Sequence, residues 1–315
     1  MGEAKSFKLG AAVALFAAVL AAPGALRAQA EPPQETSTAA PAAASARINL
    51  NITPKRLTFS RNVRSASVYV FNQGNRPATV DVSLVERVML PTGEIKTLED
   101  ASSDEAAKPF AERLRSAHGL IMATPRRIVL APGKGQTVRL RVTQPANADA
   151  PEYRSHLTVA TVPPREAGLT AEDAAAQRAG QLSFRLNAVF GLSIPVIIRT
   201  GAPDVRADIS NVRLDEETLS PDGVAAPRRT TIIAFDLARR GGNSLFGNIE
   251  IRSAAGRNEV VGLARGVGVY PEIDSRTVRI PLQRAPVAGE VLYVTFVDDD
   301  LTPGRVIAKA SLTAP

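Results

Sequence analysis

The sequence predicts an all-β protein of two β-sandwich domains, with a short helical insertion in the first. Three observations carry this. Leu182–Arg199 reads LSFRLNAVFGLSIPVIIR, apolar at every even position and mostly polar or small at the odd ones. Strict alternation marks a strand with one dry and one wet face. Short β-rich runs closed by polar or Gly/Pro-rich turns recur along 47–200 and again along 201–315, the texture of two sandwiches. Asp104–His118 (DEAAKPFAERLRSAH) is the one segment that breaks this texture, and its spacing suits a helix.

Residues 1–30 read as a cleavable signal peptide. Lys5 and Lys8 give a positive start, Leu9–Ala22 is an apolar core too short to span a bilayer, and Ala28-Gln29-Ala30 is a cleavage site. An uncleaved anchor is the alternative. No later segment has the length and apolarity of a membrane helix, so the mature form is expected in the periplasm without a membrane span. Residues 31–46 (EPPQETSTAAPAAASA) lack alternation and large apolar side chains, and are expected to form a disordered tether.

In the first domain, 47–200, strands are predicted at Ile48–Ile52, Arg56–Phe59, Ser67–Phe71 and Ala78–Val85. Ile128–Leu130, the turn Pro132-Gly133-Lys134-Gly135 and Val138–Val142 read as a hairpin-like unit, and His156–Val162 as a further strand. The Asp104–His118 helix would place Phe110, Leu114 and Ala117 on one face, over an end of the sandwich. Pro195 cannot donate to a ladder, which places its part of the long strand on a sheet edge. That run is about three times the usual strand length. By pattern alone it reads as a core strand of this protein. A long apolar edge left unblunted suits pairing with another chain.

Arg199-Thr200-Gly201-Ala202-Pro203 reads as a hinge into the second domain, 201–315. Strands follow at Val205–Leu214, Thr231–Leu237, Asn248–Ile251, Val260–Ala264, Thr277–Leu282, Glu290–Val297 and Arg305–Leu312.

Composition excludes several chemistries. The chain has no cysteine and two histidines, His118 and His156, neither near a ligand partner at metal spacing. Zinc and thiol sites are therefore not expected. There is no nucleophile elbow, phosphate-cradling loop or calcium loop. Asp298-Asp299-Asp300 reads as a polar turn rather than a cation site. Residues 1–30 hold Lys5, Lys8 and Arg27 against Glu3, a net +2, leaving +5 of the chain's +7. In an exported protein this charge reads as solubility and attraction to acidic partners, not nucleic-acid binding. No catalytic residue, cofactor or metal is expected.

Four pieces stand in a telling order. They are Pro54–Phe59 followed by Ser67–Gly74; Thr124-Pro125 with Leu130–Gly133 and Gln136–Leu140; Glu152-Tyr153-Arg154 running into Val162-Pro163-Pro164; and the edge strand ending Ile197-Ile198-Arg199. Together they resemble the periplasmic pilus-assembly chaperones of the chaperone–usher class, well over about 47–200 and loosely over 201–315. The resemblance implies immunoglobulin-like sandwiches joined at an angle. It implies a non-enzymatic chaperone that donates an edge strand, about 182–198, to pilus or other secreted surface subunits and delivers them to an outer-membrane usher. Chaperone–pilin pairing is a known instance of strand addition. The match places Leu186, Ala188 and Phe190 in the client's groove, extended by Phe184 and Leu182. A self-capping dimer is one way the free protein would hide that edge.

The resemblance also implies a client carboxylate anchored by an arginine and a lysine. Arg56 matches the arginine. The lysine position falls on Pro195, with Lys55 and Arg185 as substitute candidates, or with a different grip on the client. Glu152, Arg199 and Asp300 match an interdomain ion-pair network that fixes the angle between domains. The competing reading is a structural or adhesive surface protein with no chaperone role. Against it, 31–46 lacks a donor-strand pattern and the chain lacks a cysteine pair. A lectin or carbohydrate-active enzyme would need aromatic platforms, and tryptophan is absent.

Overall fold

The computed structural model describes residues 48–145, 147–163, 189–220, 223–255 and 259–315. The signal-peptide and tether expectations, and 182–188 of the long strand, lie outside the described residues.

Two sheets form the first sandwich. One orders β1 (Leu50–Thr53), β3 (Ser65–Asn72), β9 (Gly135–Val142) and β7 (Ile121–Thr124). The other orders β2 (Leu57–Phe59), β11 (Gly191–Arg199), β10 (Glu152–Thr161), β4 (Ala78–Val85) and β8 (Arg127–Leu130). This is an immunoglobulin-like arrangement. Its core is built by alternation: Val68 and Val70 face Val80, Val82, Leu157, Val159, Ile194, Val196 and Ile198, with Val138 and Leu140 beside them. Successive side chains on a strand point to opposite faces, so each strand contributes every second residue.

The expected hairpin at 128–142 does not form. β8 pairs with β4 in one sheet, while β9 pairs with β3 in the other. Ile128 and Leu130 thus reach the core from one side, and Val138 and Leu140 from the other. The Pro132–Gly135 turn carries the chain between sheets, with Gly133 at φ +66, a region glycine enters without a steric penalty. β7 had no clear signal in the sequence, being only four residues long.

The insertion also differs from expectation. A hairpin of β5 (Arg87–Met89) and β6 (Ile95–Thr97) leads into α1 (Leu98–Ser103) and α2 (Lys108–Arg113). The helix expected over 104–118 is broken and shifted. Thr97 caps α1, its Oγ1 accepting from Asp100 N at 3.1 Å. Asp104 then turns the chain, its Oδ1 accepting from Ala106 N. Pro109 sits in the first turn of α2, where its missing N–H costs nothing. Phe110 and Leu114 pack with Val88, Ala101, Ala107 and Ala111, whereas Ala117 joins the first sandwich's core. Rather than capping an end of the sandwich, the insertion reaches the second one. Met89 belongs to the second core, with Ile95 and Phe110 against it.

The second sandwich packs β12 (Ala207–Leu219), β13 (Arg228–Arg239) and β16 (Ser275–Pro281) against β15 (Val260–Val269), β14 (Leu245–Ser253), β17 (Val291–Asp298) and β18 (Val306–Thr313). Ile233, Phe235 and Leu237 meet Ile249, Ile251, Val294 and Phe296. Ile197 of β11 is buried in this second core, although its neighbours Val196 and Ile198 belong to the first. One strand therefore serves two cores. Ile197→Ala should cost about 2–5 kcal/mol, as for other buried isoleucines, measured by urea unfolding; a loss near zero would mean that the sandwiches are not joined there.

Candidate functional site

β11 is the strand on which the site is built. Its even residues, Ile194, Val196 and Ile198, fill the first core. Its odd residues point the other way, where the two sandwiches meet. Thr161 N donates to Phe190 O at 2.8 Å, and Thr200 N to Pro151 O at 3.2 Å. Antiparallel alternation between these two pairs turns the backbone groups of the even residues toward β10 and those of the odd residues away. From Val196 to Ile198 the outer side is taken by β2, which runs parallel. Among the described residues no strand pairs with that side over Gly191–Pro195. Gly191 and Ser193 thus present backbone groups to an open edge, and Pro195 stands where the missing N–H is not needed by β10. Upstream, Val189 and Phe190 are exposed at 59% and 51%. Leu182, Phe184, Leu186, Ala188 and Arg185 lie outside the described residues.

The edge runs into a buried charge cluster. Arg199 Nε donates to Glu152 Oε2 at 3.3 Å, and Arg199 Nη2 to Asp300 Oδ2 at 2.6 Å. Arg56 Nη2 reaches the same Asp300 oxygen at 3.1 Å and Ser244 Oγ at 3.0 Å. Ser244 N donates to Glu152 Oε2 at 3.1 Å. The structure thus brings Glu152, Arg199, Asp300 and Arg56 into one network across both sandwiches. Asp300 is held in place by Asp298, which is buried and accepts from Asp300 N and Thr302 N. Arg56 lies over the Phe246 ring at 4.7 Å, and its Nε and Nη1 are buried with no hydrogen-bond partner among the described residues. Lys55 lies apart from it, exposed and bonded to Asn51.

A second link escaped the sequence reading. Arg154 of β10 pairs with Glu272, and both side chains are almost wholly buried. Arg154 also donates to Arg87 O at 2.8 Å and lies over the Tyr270 ring at 4.0 Å. Glu272 accepts from Met89 N at 2.9 Å, tying in the insertion. A signal existed: Glu152, Arg154 and His156 alternate with Tyr153, Ser155 and Leu157. A polar face that regular on a strand otherwise buried points to a partner element rather than to solvent. Its partner, Glu272, is 118 residues away.

His156 sits beside Arg154 and is pushed down to a pKa of about 2, by burial first and then by Arg154, Arg87 and Arg56. Its cross-strand neighbours are Pro195 and Val85. His118, by contrast, is exposed and lies 3.4 Å from Glu86. Among the described residues no group of His, Cys, Asp and Glu is arranged to hold a metal ion, and no helix is long and apolar enough to cross a membrane.

No family model and no curated protein matches the chain. Solved structures do align with most of it. The E. coli chaperone DraB shares 11% identity, over 85% of this chain and 97% of that one, with a TM-score of 0.40. The Pseudomonas aeruginosa CupB2 chaperone shares 11%, over 84% and 100%, at 0.40. The CsuC–CsuE chaperone–tip adhesion subunit pre-assembly complex, from archaic chaperone–usher Csu pili of Acinetobacter baumannii, shares 12%, over 85% and 99%, at 0.39. At these values the likeness carries no assignment, and the functional reading rests on this chain's own residues.

Two outcomes follow from the buried charges. Glu272→Ala should lose about 3–5 kcal/mol by leaving Arg154 buried and uncompensated, whereas the double variant Arg154→Met/Glu272→Leu should recover most of it; urea unfolding of both variants decides this. The unfolded chain protonates His156 near its ordinary value of 6.5, but the folded chain resists until about 2. Stability should therefore fall as pH drops below about 6.5, by up to about 1.4 kcal/mol per pH unit from this one group. His156→Gln should flatten that slope, and an unchanged slope would show that another group sets it.

Proposed function

We propose that the chain is a non-enzymatic periplasmic chaperone that captures secreted surface subunits, pilus subunits foremost, by donating the open edge of β11. It then delivers them to an outer-membrane usher. One observation carries this reading: an edge whose outward backbone groups lack a strand partner among the described residues over Gly191–Pro195, continued upstream by an alternating apolar sequence. Backbone pairing supplies affinity and alternate side chains supply fit when a strand is added to such an edge. Phe190 and, further upstream, Ala188, Leu186, Phe184 and Leu182 are the side chains assigned to the client's groove. Each large one contributes about 1.5–3 kcal/mol on burial before ordering costs.

In this reading Arg56 stands at the closed end of the edge, because Val196 pairs with Leu57. Its Nε and Nη1, without partners among the described residues, are the donors it would turn to a client's carboxylate. Glu152, Arg199 and Asp300 hold the angle between sandwiches that this arrangement needs.

The test is co-expression of the tagged protein with small β-rich secreted subunits encoded beside it, followed by recovery from the periplasm. Phe190→Asp should reduce the recovered client at least about tenfold, since a carboxylate buried in an apolar groove costs several kcal/mol. The variant should keep the parent's urea midpoint, because Phe190 is half exposed. Equal recovery of client with the variant would end the strand-donor reading and favour a structural or adhesive surface protein.

A further inference from the structure

The outer face of the sheet β1-β3-β9-β7 carries charge of one sign. Its four strands lie within 48–80 and 113–148, and neither stretch holds an Asp or Glu, so all 31 acidic residues of the chain stand elsewhere. Val138 and Leu140 point into the core. By alternation Arg139 and Arg141 point outward, about 7 Å apart along β9. Lys55 joins them from the β1 side, its Nζ donating to Asn51 Oδ1 at 2.5 Å. Asn51 stands opposite Phe71, on the face away from the core residues Ile52 and Val70. All three cations are exposed, and none forms an ion pair among the described residues. Elsewhere exposed arginines are matched: Arg127 meets Asp81, Arg206 meets Asp204 and Arg240 meets Asp208.

Apolar side chains are exposed among these cations. Met122 of β7 stands directly opposite Arg141 and is 66% exposed. Tyr69 of β3 stands opposite Thr137, two residues from Arg139, and is 44% exposed. Its ring lies over Gly135, where a Cβ would collide with it, and stacks on Phe71 at 5.7 Å. A glycine there lets the aromatic pair lie down along the sheet.

We infer that this face docks the protein on an anionic phospholipid surface. Guanidinium forks match the phosphate oxygens of lipid headgroups, and every basic side chain held near such a surface adds to binding. Charge alone would suit any acidic partner, and the apolar side chains narrow the choice. An amphipathic tyrosine ring settles at headgroup level, and a flexible methionine enters the acyl boundary beneath it. An acidic protein surface would satisfy the cations without using Met122. The edge strand β11 belongs to the other sheet, so this inference stands apart from the edge-strand reading.

The test is sedimentation of the protein, recovered after export, with vesicles of phosphatidylcholine alone or with about a quarter phosphatidylglycerol. Binding should require phosphatidylglycerol and fade as salt rises from about 0.05 to 0.5 M, as the charges are screened. The double variant Arg139→Gln/Arg141→Gln should bind at least about tenfold more weakly, with the parent's urea midpoint, since both side chains are exposed. Arg206→Gln/Arg240→Gln removes the same net charge from the second sandwich and should cost no more than about twofold. Equal losses in the two double variants would assign binding to net charge and overturn the face, as would failure of the parent to bind phosphatidylglycerol. Met122→Ser should weaken vesicle binding severalfold and leave binding to poly-glutamate unchanged. Retention on poly-glutamate without vesicle binding, or vesicle binding indifferent to Met122→Ser, would overturn the bilayer and assign the face to an acidic macromolecule.

Discussion

Two arginines on neighbouring strands, buried at the junction of the sandwiches, are the constraint on which the rest depends. Arg154 and Arg199 leave β10 and β11 on the side away from the first core and end on Glu272 and Asp300 of the second sandwich. Removing such charges from water costs several kcal/mol each, so they are tolerable only with their partners in place. Any other angle between the sandwiches would strand them. The junction is therefore specified by what it would cost to open, and Ile197, set into the second core between them, adds apolar contact to that specification.

This explains how β11 can be both a core strand and an edge. Its even residues build the first sandwich's core and its odd residues build the junction, while among the described residues no strand pairs with its outer backbone side until β2 begins. The proposed client site is thus anchored at one end by packing that cannot shift without unburying charge.

Much of the fold was legible because strand periodicity is local. Val80, Val82 and Leu84, or Val138, Leu140 and Val142, announce a half-buried strand in a window of a few residues. Pairing was less legible. The Pro132–Gly135 turn resembles a hairpin turn, yet it joins strands of opposite sheets, because which sheet a strand enters depends on partners far away in the chain. The insertion failed for the same reason. Apolar residues at helical spacing were visible around Phe110, but the Thr97 cap, the Asp104 turn and the contact with Met89's surroundings belong to elements outside that window.

The sequence by itself determined the all-β class and the alternating run ending at Arg199, because both follow from residue type and period alone; the residues at 56, 152, 199 and 300 were singled out only by the family resemblance. Only the tertiary structure decided that Arg154 meets Glu272 and that Arg56 shares Asp300 with Arg199. Those are meetings of side chains more than a hundred positions apart, and they come into being only when the two sandwiches pack together.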